Sequence, residues 1–185
     1  MAKIKWTLDP THSDLGFKIR HLMITNVSGF FGEFEVEVLT DGEDFKTAQV
    51  SAKIKTASVS TNNVQRDQHL RNGDFFDVEQ YPEILFTSDR VEPIDDENFI
   101  LHGHLTMKGV TKPVTLNVEY SSTTNDPWGT RRAGFAITGK IKRTDFGLSF
   151  NKVLESGNLG LGEDVKINSE VQIVKQQEAV VAESI

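Results

Sequence analysis

Leu15-Gly16-Phe17-Lys18-Ile19-Arg20-His21 and, further on, Phe34-Glu35-Val36-Glu37-Val38 place an apolar side chain on every second position. Successive side chains of a β-strand point to opposite faces, so a period of two makes a sheet with one apolar face and one wet face. Trp6, Leu8 and Phe30 extend the apolar set, while Lys18, Arg20, Glu33, Glu35 and Glu37 face water. The stretch reads as one wall. Function turns on whether that wall encloses a packed core or a cavity.

Working outward, the same alternation predicts about eight or nine strands, around residues 4–8, 14–21, 27–39, 48–58, 84–91, 99–107, 114–120, 133–143 and 165–174. Asp9-Pro10 and Asp41-Gly42-Glu43-Asp44 are turn signals. Phe31 interrupts the third strand between Gly29 and Gly32, where a bulge or bend is expected. Residues 61–81 break the meander. Asn63 caps a helix that stops at Asn72-Gly73, with the glycine left-handed, and Asp74 caps a turn carrying Phe75, Phe76 and Val78 before Tyr81-Pro82. This insert, about residues 63–79, is expected to lie over one end of the sheet. Long antiparallel strands with few helices favour an all-β fold, an extended lipocalin-like antiparallel barrel of about eight strands. The expected organisation is one domain over residues 3–175, with a disordered tail at 176–185. Gly157-Asn158-Leu159-Gly160-Leu161-Gly162 reads as a hairpin loop over the barrel mouth.

Composition excludes several function classes. The 185 residues are 37% hydrophobic and 25% charged, an ordinary globular balance. A net charge of -7 without clustered Lys and Arg argues against nucleic acid. There is no cysteine, hence no disulfide or thiolate chemistry. No apolar run reaches the ~20 residues of a transmembrane helix, and Met1 to Lys5 lead straight into Trp6 without an apolar signal segment, so a cytoplasmic location is expected. His102 and His104 share a strand face but lack a third local ligand, so no metal site is expected. Asp145-Phe146-Gly147 stands without the other kinase motifs, and no Gly-x-Ser-x-Gly elbow occurs. The chain reads as a non-enzyme without a cofactor.

A set of ordered motifs carries a family resemblance. Trp6-x-Leu8-Asp9-x-x-His12-Ser13, Phe17-x-x-x-His21 and Val27-x-Gly29-x-Phe31 open it. Arg66-Asp67-x-His69-Leu70 and Asp74-Phe75-Phe76-Asp77-Val78-x-x-Tyr81-Pro82 follow, then Gly103-x-Leu105-Thr106-x-Lys108-Gly109-Val110-Thr111-Lys112-Pro113-Val114. Gly134-Phe135 through Arg143-x-Asp145-Phe146-Gly147-Leu148 completes the series. Together these resemble the YceI-like family, in its branch without an export signal. The resemblance implies a lipocalin-like barrel that binds polyisoprenoid or similar long-chain amphiphiles inside, with no cofactor and no reaction.

Ligand contacts are assigned by alternation. Leu15, Phe17 and Ile19 are expected inside from one strand, and Phe30, Phe34 and Val36 from the next. Later strands contribute Ile84 and Phe86; Leu101, Leu105 and Met107; and Phe135, Ile137 and Ile141. Gly32, Gly103 and Gly139 on these faces leave room for a cavity, or equally fit a tapering filled core. His21 and Arg143 continue two apolar faces to strand ends, where they would meet an oxygen-rich head group such as a phosphate or a phenol. The plainer alternative pairs Arg143 with a buried carboxylate, Asp145 or Asp9, and ties His21 to backbone. The expected function is non-catalytic carriage or sequestration of a long-chain amphiphile in an apolar tube. Sheathing a chain of roughly twenty carbons would contribute on the order of 10 kcal/mol before ordering costs. The alternative is a solid-cored barrel serving as a protein-interaction or stress-related module, with an enzyme on an isoprenoid-like substrate third. Pairing of two barrels through an exposed strand, as a homodimer, stays open.

Overall fold

The computed structural model describes residues 2–151 and 160–177. Strands β1 (Lys3–Leu8), β4 (Phe34–Asp41), β5 (Asp44–Lys55), β7 (Glu83–Pro93), β8 (Asn98–Met107), β9 (Val110–Asn125), β10 (Arg131–Lys142) and β11 (Leu161–Lys175) pair antiparallel in that order, and β11 returns to β1. This is a closed eight-stranded barrel. β11 meets β1 only at Trp6↔Lys175, Thr7↔Val174 and Leu8↔Ile173. Nearer its start it pairs instead with β2 (Gly16–His21), from Asn168↔Gly16 to Leu161↔His21. β3 (Thr25–Phe31) and the short β6 (Val59–Ser60) extend the wall beside β2. We call the end where β10 begins the lower end and the end where it finishes the upper.

Three neighbouring strands thus break at one level. β1 gives way to β2 through a 3-10 turn at Pro10–His12, β3 to β4 at Gly32-Glu33, and β5 to β6 through Thr56–Ser58. The freed backbone groups are satisfied across the breaks: the Phe31 amide donates to the Leu15 carbonyl at 3.0 Å, Gly32 to Ser58 at 3.0 Å and Lys55 to Glu33 at 3.0 Å. The break at Gly32-Glu33 also resets the alternation. Above it Val27, Gly29 and Phe31 face inward; below it Phe34, Val36 and Val38 do. Phe30, expected inside, therefore points out and is 43% exposed. Gly32, expected on an inner strand face, lies in the break itself.

The lower half is solid. Trp6 is fully buried, its indole N–H donating to Thr40 Oγ1 at 3.0 Å, and its ring lies 5.1 Å from that of Phe45. Phe45 in turn packs on Phe135 and Tyr120 at 5.0 and 5.6 Å between ring centroids, within the range of favourable aromatic pairs. Val36, Val38, Ala133 and Ile173 complete this plug. The middle is filled by Ile84, Phe86, Leu101, Leu105, Met107 and Phe146. Two expected gaps are occupied here: a Cβ on Gly103 would stand 2.6 Å from the Phe86 ring, and one on Gly139 2.7 Å from the Leu116 side chain. These glycines admit neighbours rather than a ligand.

The interruption of the meander folds as expected in kind. Helix α1 (Val64–Arg71) starts at Asn63, whose side-chain oxygen accepts from the Arg66 amide at 3.0 Å. It ends at Asn72, and Gly73 does not take the left-handed conformation expected of it. Buried Asp67 accepts from the amide and hydroxyl of Thr61 at 2.8 and 2.6 Å, fastening the helix to the end of β6. The expected tail at 176–185 falls, from 178 onward, outside the described residues, as do residues 157–159 of the expected glycine-rich loop.

At the lower end Asp9 secures the corner between β1 and β2. Its carboxylate accepts from the Thr11 amide at 3.1 Å and pairs with His12 at 2.8 Å and with Arg132 of β10 at 2.6 Å; Arg132 also holds Asp126 at 2.8 Å. Burial pushes the Asp9 carboxyl up, but hydrogen bonds from Thr11, His12 and Arg132 outweigh it and hold the group well below the usual carboxylate range. A carboxyl depressed in the folded state stabilises above its unfolded value of about 3.9, and that stability drains away as pH falls toward the folded value. Asp9→Asn is therefore expected to lower stability near pH 7 by on the order of 2 kcal/mol, with the difference from the parent narrowing below about pH 4 in urea titrations run across pH. The upper wall yields a second expectation. The Phe17 ring lies directly over Gly29, in the space a Cβ would need. Gly29→Ala should destabilise by about 1–3 kcal/mol in denaturant unfolding, and Phe17→Leu should recover part of that loss when the two are combined.

Candidate ligand-binding site

Above the strand breaks the barrel encloses a cavity of about 420 Å³. Its walls come from alternate residues of three strands: Leu15 just before β2 and Phe17, Ile19 and His21 along it, Val27 and Phe31 on β3, and Leu161, Val165 and Ile167 on β11. Apart from His21, which is exposed, these inner-face side chains are only half-buried, whereas the inner face below is occupied by Trp6 at 0% exposure. A filled core would cover them, so their exposure measures the hollow. The floor is Ile54, Ile84, Leu105 and Met107. The roof is the insert after β6, which contributes Leu70, Phe75 and Phe76; the Phe31 and Phe76 rings meet edge-on at 5.7 Å.

Polar groups are confined to the rim. His21 is exposed at the end of β2. His69 of α1 bonds Asp74 at 2.9 Å and stands edge-on to Phe75 and Phe150, at 5.0 and 4.8 Å between centroids. Arg66 donates from Nε to the Thr61 hydroxyl at 2.7 Å and from Nη2 to its carbonyl at 2.9 Å.

Arg143 also borders the cavity and is buried, at 4% exposure. It lies past the end of β10 and opens a 3-10 turn, Arg143–Phe146, rather than continuing the strand face. Its guanidinium donates to the carbonyls of Gly162 at 2.8 Å, Leu148 at 2.5 Å, Phe150 at 2.9 Å and Leu161 at 3.4 Å. It makes no ion pair among the described residues, with Asp145 or Asp9 or otherwise; Asp9 is taken by Arg132. Burial lowers its pKa, yet the guanidinium stays charged. Among the described residues a positive charge hydrogen-bonded to main-chain carbonyls, with the Glu163 carboxylate partly offsetting its burial, thus borders an apolar chamber.

Of the residues assigned by alternation, Leu15, Phe17, Ile19, His21, Ile84, Leu105, Met107, Ile141 and Arg143 come together around the cavity. The others do not. Phe30 faces outward because of the break beside it. Phe34 stands inward opposite Ile54 without reaching the lining. Val36 and Phe135 belong to the lower plug, Phe86 and Leu101 to the middle packing, and Ile137 lies between them opposite Val118 and Ser169. The tall continuous tube expected from strand length is therefore divided, since Trp6, Phe45, Tyr120 and Phe135 fill its lower part. Sequence reasoning missed Phe31, Val165 and Ile167, although the last two alternate as cleanly as any on β11. His102 and His104 pair with Glu92 and Asp89 at 2.8 and 2.9 Å on the outer face. No helix among the described residues is long and apolar enough to cross a membrane.

Comparison with known proteins agrees with this architecture. The model of the YceI-like domain matches residues 6–173. A UPF0312 protein of Staphylococcus aureus strain N315 is 39% identical over 168 residues, covering 90% of this chain and 95% of its own length. The crystal structure of the Campylobacter jejuni YCEI protein superposes with a TM-score of 0.73 at 36% identity, over 92% of this chain and 97% of that one. Two more distant structures share the fold. BcnA of Burkholderia cenocepacia has a TM-score of 0.77 at 21% identity over 89% and 98% of the two chains. A polyisoprenoid binding domain of Saccharophagus degradans has 0.68 at 18% over 92% and 98%. The chain belongs to the YceI-like family.

Proposed function

We propose that this protein binds one long-chain amphiphile, tail inward, and carries or sequesters it without chemical change. The observation that carries the reading is the upper chamber: about 420 Å³, walled by aliphatic and aromatic side chains, with polar groups only at its rim. Its size lies in the range of small-molecule sites. A chamber of this size and lining suits a single acyl or prenyl tail. Apolar burial of this extent supplies affinity without strong polar contacts. The Saccharophagus degradans domain of the same fold is described as polyisoprenoid-binding, which agrees with an isoprenoid or acyl tail here. Arg143, with no ion pair among the described residues, favours an acidic or strongly hydrogen-bond-accepting head.

The test is displacement of a fluorescent fatty acid by farnesol, geranylgeraniol and palmitate, together with native mass spectrometry of the purified protein. Val165→Trp, set between Ile19 and Ile141, should fill much of the chamber and weaken binding at least about tenfold while leaving urea unfolding nearly unchanged. Phe135→Leu, in the plug, should lower stability by about 1–3 kcal/mol and leave binding intact. A parent protein that takes up none of these compounds and carries no adduct from any expression host contradicts the reading.

A further inference from the structure

The turn between β2 and β3, residues 21–24, closes with the Ile24 amide donating to the His21 carbonyl at 3.0 Å. Its central residues Leu22 and Met23 have φ of +53° and +58°. Two successive left-handed residues are the mark of tight hairpin turns that favour Asn and Gly. Here the positions hold Leu and Met, followed by Ile, and the three are 39%, 54% and 72% exposed. Neither turn geometry nor solubility accounts for that choice.

The place of this tip in the molecule gives it a use. Leu22 and His21 also line the chamber, and the Leu22 amide donates at 2.8 Å to the carbonyl of Gly160, which directly precedes the neighbouring strand β11. The apolar surface of the tip is continuous with the chamber wall. In a chain of net charge -7, residues 15–32 hold no acidic side chain and include Lys18, Arg20 and His21. Arg20 bends back to donate to the Met23 carbonyl at 3.1 Å, which puts a cation directly behind the apolar tip. A convex apolar point backed by cations matches the interface of a bilayer, where apolar side chains enter the acyl region and basic ones meet lipid head groups.

We propose that the Leu22-Met23-Ile24 tip is a docking point for a lipid bilayer, placing the chamber mouth against the surface from which an amphiphile enters or leaves. The use of that contact for transfer rests on the function proposed above; the contact itself does not. Trp128, 85% exposed in the turn before β10, sits at the opposite end and serves as the control.

The experiment is flotation of delipidated protein with phosphatidylcholine vesicles, with and without phosphatidylglycerol. The parent should rise with the lipid, more so with phosphatidylglycerol. Met23→Gly combined with Ile24→Thr should cut that partitioning about tenfold. The same variant should keep or raise the unfolding temperature, because glycine relieves the left-handed position. Trp128→Ser should float like the parent. In a second arm, a pyrene-labelled fatty acid should pass from the parent to vesicles at a rate that climbs with vesicle concentration. The double variant should lose that dependence yet bind the probe normally without vesicles, since neither Met23 nor Ile24 lines the chamber. A parent that stays in the aqueous fraction with both lipid compositions overturns the proposal. So does a double variant that floats as well as the parent, or loss of flotation in Trp128→Ser alone. A parent that floats through its tip but binds no fatty acid upholds the docking point and removes the proposed ligand instead.

Discussion

A closed sheet satisfies every backbone amide and carbonyl in its own ladder, and for eight strands the resulting bore is just wide enough for side chains to fill. That constraint governs the lower half of this barrel, where Trp6, Phe45, Tyr120 and Phe135 pack against one another. To hold anything else the wall must open without stranding polar groups. It does so at one level, where three adjacent strands break and their backbone groups are paired again across the gaps. β11 is the hinge of the arrangement, pairing with β1 below the break and with β2 above it.

The upper half needs a second device, because a sheet opened at one edge exposes its interior. The insert carrying α1 supplies the cover; Phe75 joins the core, and polar ties fasten it as well: Asp67 grips Thr61, and Arg71 donates to the carbonyls of Ala57 and Val59 at 3.0 and 3.1 Å. On the other side Arg143 gathers four carbonyls from residues 148–150 and 161–162 into one knot. A guanidinium suits this work because its donors are fixed in a plane and stay charged in a buried site. The chamber is thus apolar inside and tied around its rim by hydrogen bonds.

Much of this was legible in the sequence. Alternation identified the strands and, from Leu15 to Ile19, the inner face of β2. Asn63 announced the helix, and the run Phe75-Phe76 announced a piece needing burial. What escaped did so for identifiable reasons. Alternation cannot be carried through a strand break, so Phe30 and Phe31 exchanged roles across Gly32-Glu33. Glycines on the inner faces fit a cavity or a filled taper equally well, and only the fold decides: Gly103 and Gly139 are covered by side chains from neighbouring strands, a pairing no local pattern reports. The same limit concealed the plug, since Trp6, Phe45, Tyr120 and Phe135 are distant in sequence and meet only on closure. Arg143 was placed at the correct end, but its partners are carbonyls, which leave no trace in side-chain composition.

The aromatic plug makes the hollow a blind bore. A channel open at both ends can be threaded, and its contents can leave by the side opposite to entry. A blind bore admits a chain only by one end and only tail first, and anything released must come back past the same rim. On the proposed reading, the outer end of such a guest would lie on the side of the rim, where His21 is exposed. Whatever met a protein loaded in this way would read the head of the molecule before its tail.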